Sequence, residues 1–353
     1  MIKGQEAKVG DKSLYDRWVE SQGIPVVRDF YIEDVRKVAL ESWERKGGHG
    51  VFLNLIGTEE INDSYICEIG PGRSLKPERC LFEEMVYVVS GRGATTVWNE
   101  GGRKQTFEWQ AGSLFSPPLN CWRQHFNGSG SEPARFFAVT SAPLVINLFH
   151  NLDFVFQNEF CFVDRLPEEE RYFSADGKQY PGRIWDSNFV PDVKSIALEE
   201  WKERGGGGKN ILLELSENTM AAHISEFAVG RYKKAHRHGP GAHVVILGGK
   251  GYSLMWPEGA PKRRFDWREG SIIVPPNMWF HQHFNTGAIP ARYLALRWGS
   301  TKYKFLSNSQ GEGVDVSVKK GGNQIEYEDE DLEVRRIFEE ELAKEGVANQ
   351  MRA

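Results

Sequence analysis

Residues 230–251 begin Gly230-Arg-Tyr-Lys-Lys-Ala-His236-Arg-His238-Gly-Pro-Gly-Ala-His243 and continue as an apolar run to Gly249-Lys-Gly251. The pattern resumes at Gly270-Ser-Ile-Ile-Val-Pro-Pro276-Asn-Met-Trp-Phe-His281-Gln-His283-Phe-Asn285. The chain has nine histidines, and five of them fall here. In a strand, side chains at i and i+2 share a face, so His236 projects with His238, and His281 with His283. Two such strands side by side bring imidazoles to one point, which predicts a metal site inside a β-barrel. Neutral imidazole suits zinc, copper, iron and nickel. Neither segment contains cysteine, so nitrogen and, as the other available donor, oxygen would hold the ion.

The spacing Gly-x5-His-x-His-x4-His, followed by Gly-x5-Pro-x4-His-x3-Asn, resembles the two motifs of the cupin superfamily. The first motif usually carries Glu where this chain has His243. The wording is closer still to the gentisate/salicylate-type ring-cleaving dioxygenases, which are bicupins. The counterparts here are His236-Arg237-His238, Ala242, Gly249-Lys250-Gly251 and the run from Pro276 through Trp279 to His281-Gln282-His283. The cupin resemblance covers most of the chain. The dioxygenase resemblance covers mainly this stretch and lies in the C-terminal half, whereas those enzymes are associated with an N-terminal metal. The resemblance implies a mainly β protein: two tandem cupin (double-stranded β-helix, jelly-roll) barrels with flanking helices and a C-terminal helix.

A duplication supports two barrels. The segment Asp34-Val-Arg-Lys-Val-Ala-Leu-Glu-Ser-Trp43 is answered by Asp192-Val-Lys-Ser-Ile-Ala-Leu-Glu-Glu-Trp201, 158 positions later. The offset persists from Trp98 to Trp256, Trp109 to Trp267, Gly112 to Gly270 and Pro118 to Pro276, and slips by one at Arg135 and Arg292. Such a period is too long for a solenoid and marks a duplicated domain. Each copy is expected to open with a short helical segment that stops at a glycine cluster. Short strands follow, among them 52–55, 85–89, 95–98 and 135–139, then 211–215, 244–247 and 293–296. The expected division is an N-terminal barrel over 1–155, a connecting arm over 156–190, a C-terminal barrel over 191–310 and a tail over 311–353. The tail offers an amphipathic helix through Leu332, Ile337, Phe338 and Leu342.

A net charge of −5 argues against a nucleic-acid or anionic-membrane surface. The N-terminus lacks the apolar region of a signal peptide, and no run approaches the length of a membrane span. The four cysteines are scattered, with no CxxC, so a reducing cytoplasm is the expected location. The expected partner is a small molecule, and a homo-oligomer is the expected assembly.

The repeat also sorts the histidines. By the two available alignments, the first copy has Lys76 and Glu78, or Glu78 and Cys80, where the second has His236 and His238. Met85 stands for His243 and Arg123 for His281, while His125 and Asn127 match His283 and Asn285. The expected metal set is therefore His236, His238, His243 and His281. His243 is open between ligand and non-ligand, since the gentisate-type pattern is apolar there. His283 is expected to serve as a pocket acid or base. In the first barrel, Glu78 or Glu84 is expected to pair with Arg123 in the volume a metal would fill.

One divalent ion per chain is expected, Fe(II) by resemblance, with Zn, Mn, Ni or Cu as alternatives. An all-histidine set is neutral and leaves the full +2 charge to attract an anionic substrate. Candidate pocket groups are Tyr232, Trp256, Trp279, His283, Arg292 and Trp298. Arg292 could clasp a carboxylate, or else make a structural ion pair. The expected function is a non-haem Fe(II) dioxygenase acting on an aromatic or enolic substrate. The alternatives are a zinc-type isomerase or cyclase, or a non-catalytic bicupin that binds a small ligand or metal.

Overall fold

The structure, a computed structural model, describes residues 9–166, 172–305 and 313–351. Its strands follow the duplication. In the first half, Gly48–Leu53, Asp63–Ile69, Ala134–Thr140 and Glu84–Ser90 lie in one large antiparallel sheet. Trp122–Asn127, Arg92–Trp98 and Gln105–Gln110 form a second, three-stranded sheet. The second half repeats this with Lys209–Glu214, Met220–Phe227, Ala291–Trp298 and His243–Gly248 against Arg263–Arg268, Lys250–Trp256 and Phe280–Asn285. Each pair of sheets closes on its own core, around Trp109, Phe115 and Phe136 in one barrel and Phe227, Trp267 and Tyr293 in the other. The chain is mainly β, with two tandem barrels of two sheets each.

The second glycine of each Gly-x-Gly permits that closure. A Cβ on Gly251 would collide with the Phe284 carbonyl oxygen and the Trp267 ring, and one on Gly93 with Phe126 and Trp109. Bare backbone there lets the tryptophan cross the strand.

The strand phase makes a third core. Val86 and Val88 point into the first barrel, while Met85 and Tyr87 point out of it. Val244 and Ile246 point into the second barrel, while Val245 and Leu247 point out. The outward residues of both large sheets meet in one apolar cluster with Leu53, Phe137, Leu213 and Leu294. The barrels are thus packed back to back.

They also exchange strands. Tyr31–Ile32 pairs with Ile272–Ile273 of the second barrel, and Phe189–Val190 pairs with Leu114–Phe115 of the first. The 158-residue offset relates the two crossings. The tethers repeat as well: Val35 N donates to Gly270 O (2.8 Å) and Val193 N to Gly112 O (2.9 Å). The segment expected as an N-terminal barrel therefore contributes a strand to the second barrel.

The helical segments expected at the start of each copy are not helices. Glu41–Trp43 and Glu199–Glu200 are edge strands on Gly48–Leu53 and Lys209–Glu214, and only Lys202–Arg204 makes a single 3-10 turn. Trp43 is buried beside exposed Glu41 and Ser42, and the preceding stretch turns at 35–37, where Val35 is tied to the other barrel. That tertiary pull outweighs the helical spacing.

The helices lie elsewhere. α1 (Leu14–Ser21) is capped by Ser13 and buries Tyr15, Trp18 and Val19 on the first barrel. α2 (Ala142–Phe149) and α3 (Leu152–Gln157) follow that barrel's last strand. α4 (Leu332–Glu345) is capped by Asp331 and ends at Gly346, whose φ of 67° suits glycine. It buries Val334, Phe338 and Leu342 against Tyr232, Tyr252 and Phe284, at about 1.5–3 kcal/mol per side chain. Leu332, expected on that apolar face, is instead exposed. No helix among the described residues is long and apolar enough to cross a membrane.

Candidate metal centre

His236 and His281 face each other across a short antiparallel bridge. His281 N donates to His236 O (2.8 Å), and His236 N to His281 O (3.1 Å). His238 follows two residues on, at the same strand phase as His236. The rings converge, with centroids 4.2 Å apart for His236 and His281, and 4.7 Å for His238 and His281. One ring nitrogen from each lies within 4.8 Å of the others.

The backbone selects that nitrogen. Nδ1 of His236 contacts Lys234 O (3.3 Å), Nδ1 of His238 contacts Gly239 O (2.7 Å), and Nδ1 of His281 contacts Trp279 O (3.2 Å). A carbonyl oxygen only accepts, so each Nδ1 carries the proton and each Nε2 keeps its lone pair. Such outer hydrogen bonds orient metal-binding histidines. Burial lowers all three proton affinities, His238 to about 4 and His236 and His281 well below the ordinary imidazole value. Three neutral imidazoles with free Nε2 atoms are the donor set a divalent ion requires.

His243 does not join them. It begins the strand that sends Val245 and Leu247 into the core between the barrels, and it shares their face. Its ring lies 6.0 Å from Phe137 of the first barrel, and its buried Nε2 has no hydrogen-bond partner among the described residues. The inward position is Ala242. His243 thus matches Met85 of the first copy, an interface residue.

His283 sits next to the cluster, its ring centroid 5.7 Å from that of His281. Its Nδ1 is 2.7 Å from Ser253 Oγ, which accepts from Trp267 Nε1 (3.0 Å). The first barrel repeats this with His125, Thr95 and Trp109, at 2.7 and 2.9 Å. The arrangement is common to both barrels, whether or not histidines surround it.

Two other expected groups point elsewhere. Tyr232 is buried under α4, where its hydroxyl donates to Glu330 and its ring packs on Phe284 and Phe338. Arg292 pairs with Glu226 (3.1 Å) and donates to the carbonyls of Val193, Lys194 and Ile196 on the crossing segment. Arg135 does the same with Glu68 and the carbonyls of Val35, Arg36 and Val38. This pair of arginines fastens the exchanged strands. Trp256 packs on Phe280, Trp279 near Phe30, and Trp298 in the core between the barrels.

The groups that share a cavity with His236 and His238 come from other strands. The cavity, about 140 Å³, is lined by His223, Arg297, Tyr293, Arg204 and Asp315 among others. Arg204 forms an ion pair with Asp315 (2.9 Å). Tyr293 Oη accepts from Lys233 Nζ (3.1 Å), a fully buried ammonium that also donates to Ser225 Oγ (2.6 Å). Burial raises the Tyr293 hydroxyl's pKa, but Lys233, Ser225 and Arg204 together outweigh it and leave the value below the ordinary one. Sequence reasoning missed these residues. The repeat held the signal, since Lys233, Tyr293 and Ser225 stand where the first copy has Leu75, Phe136 and Cys67.

The first barrel fills its equivalent volume with charge. Glu78 and Arg123 form the bridge that His236 and His281 form in the second, so the alignment giving Glu78 and Cys80 is the structural one. Arg123 lies 2.9 Å from Glu84 and 3.4 Å from Glu78. Lys46 and Arg45 also contact Glu78. Burial pushes the Glu78 carboxyl up, but Lys46, Arg123 and Arg45 prevail and hold it below the usual carboxylate range.

No family model matches the sequence, and no curated protein matches it. Solved structures do resemble the chain. An oxalate decarboxylase of Lactobacillus farciminis in complex with formate is 15% identical, with 76% of this chain and 86% of that chain covered at a TM-score of 0.49. A four-residue variant of Bacillus subtilis oxalate decarboxylase is 17% identical, with 84% and 85% covered, also at 0.49.

Proposed function

We propose that this chain is a metal-dependent enzyme, a non-haem Fe(II) dioxygenase acting on an anionic aromatic or enolic small molecule. The observation that carries the reading is the convergence of three neutral imidazoles, each with Nδ1 held by a carbonyl and Nε2 free, beside a cavity rich in guanidinium groups. His236, His238 and His281 would hold the ion. Three protein ligands leave further positions open, as catalytic sites require. Fe(II) bound there supplies redox chemistry with O2. The neutral ligands leave its charge uncancelled, and the arginines add to the attraction for an anion. His283 is oriented through Ser253 to give or take a proton at Nε2. His236 and His281 are buried, which keeps bulk water from the reacting groups.

The test is oxygen uptake by anaerobically Fe(II)-reconstituted protein, offered catechols, hydroxybenzoates and β-diketones. The expected result is O2 consumed in proportion to substrate. Equal turnover under strict anaerobiosis would favour a zinc-type isomerase or cyclase. No turnover with any metal would favour a non-catalytic binding role.

A further inference from the structure

We propose that Arg297, with His223 beside it, is the site that grips a carboxylate of the substrate within the cavity that His236 and His238 line. This rests on the reading of the cavity as a substrate site, and it names the group the cavity holds.

Arg297 is 5% exposed, and among the described residues no carboxylate lies within 4.0 Å of it. Its Nε donates to His223 Nδ1 (2.9 Å) and its Nη1 to Trp298 O (2.8 Å). These bonds orient the planar group while leaving other donors of the fork unused. Burial lowers its pKa to about 10, so the charge persists at neutral pH. The Glu214 carboxylate acts on it only from beyond ion-pair distance, and a buried charge with no counter-ion in contact is costly in a folded chain. An anionic ligand would supply the missing counter-charge, and a guanidinium fork matches the two oxygens of a carboxylate.

His223 adds a neutral donor. Its Nδ1 accepts from Arg297, so its proton resides on Nε2. Burial, and then the Arg297 charge, keep the ring uncharged. Both residues line the cavity that His236 and His238 also line. Arg204, another buried guanidinium of that cavity, is matched by Asp315 and is not the free one.

The first barrel is an internal control. Its strand pairing puts Thr140 at the place of Arg297 and Tyr65 at the place of His223. Tyr65 there donates to Glu84, part of the charge network that replaces the histidines. The arginine and imidazole therefore occur in the barrel that carries the three-histidine cluster.

The test uses the full chain loaded with Zn(II), which binds without redox turnover. Salicylate and salicylamide share a shape and differ in charge, and calorimetry reads the affinity of each. Wild type should bind salicylate at least ~10-fold more tightly than salicylamide. Arg297→Gln should weaken salicylate ~30-fold or more while salicylamide changes by less than ~3-fold, with one zinc per chain retained. Arg297→Lys keeps the cation but not the fork, and should lose ~5-fold. Equal affinity of wild type for the two probes, or no salicylate binding, would overturn the proposal. So would salicylate binding by Arg297→Gln at the wild-type level. If Arg297→Gln does not fold, the wild-type pair and Arg297→Lys still decide. Failure of O2 uptake alongside the expected binding would remove the dioxygenase reading and leave the carboxylate site standing.

Discussion

At the scale of single residues, His243 and His281 are the same side chain with opposite fates, decided by strand phase. His281 points into the second barrel, and His243 points at Phe137 of the first. Substituting His236, His238 or His281 by Ala should abolish metal binding, read by elemental analysis, while far-UV circular dichroism is retained. His283→Ala should keep the metal and lose turnover, because its Nδ1 partner is a scaffold serine and the three convergent nitrogens remain. Loss of metal by His283→Ala as complete as by His281→Ala would overturn the assignment. His243→Met installs the residue that the first copy carries. It should keep the metal and raise stability by about 1 kcal/mol, since it removes a buried nitrogen with no partner. Chemical denaturation checks the sign.

At the scale of elements, the exchanged strands and their arginine fasteners decide how the halves hold together. Tyr31–Ile32 and Phe189–Val190 are too short to persist alone. Each is fixed by a tether and by an arginine that binds three carbonyls of the crossing segment. Arg292→Ala would leave Glu226 half-buried without its partner and free those carbonyls. The expected cost is about 2–4 kcal/mol, read by denaturant titration, with metal stoichiometry unchanged. A substrate-binding role would appear instead as a change in substrate affinity at unchanged stability. The tail acts on the site through backbone: Ile325 N donates to Ala235 O (2.8 Å) and Arg237 N to Asn323 O (3.0 Å), bracketing His236.

For the whole molecule, the core between the barrels makes the two halves one cooperative unit, so thermal unfolding should show a single transition. Acid should weaken it. Burial holds His125 and His243 at about 4 in the fold, against about 6.5 unfolded. A depressed histidine contributes stability that is present above pH 6.5 and is lost as pH falls through 4, because the unfolded chain then binds more protons. The Tm of the metal-free His236→Ala/His238→Ala variant should therefore drop between pH 6.5 and 4, and a flat profile would contradict these burials. Metal analysis should give about one ion per chain. A second ion surviving in that same variant would show that the first barrel binds metal despite Arg123 and Lys46, which have no lone pair to offer.

The duplicated fold, the three convergent histidines and the Glu–Arg pairing of the first barrel were legible in the sequence. Each rests on local spacing: the two-residue strand period, the glycines where tryptophan crosses, and positions compared at a fixed offset. Tertiary structure alone decided the rest. Whether His243 faced its own barrel or the neighbour depended on which face of a doubly buried strand turned inward, and a strand apolar on both faces carries no alternation to show it. The segment at 34–47 has a helical spacing, yet a tether to the opposite barrel at Val35 and an edge pairing at Glu41–Trp43 hold it as a turn and a short strand. Arg292 and Arg297 stand five residues apart on one strand, on opposite faces. One closes the exchange of strands and the other turns to the cavity, because their partners, Glu226 and His223, come from a neighbouring strand whose pairing no local pattern reveals.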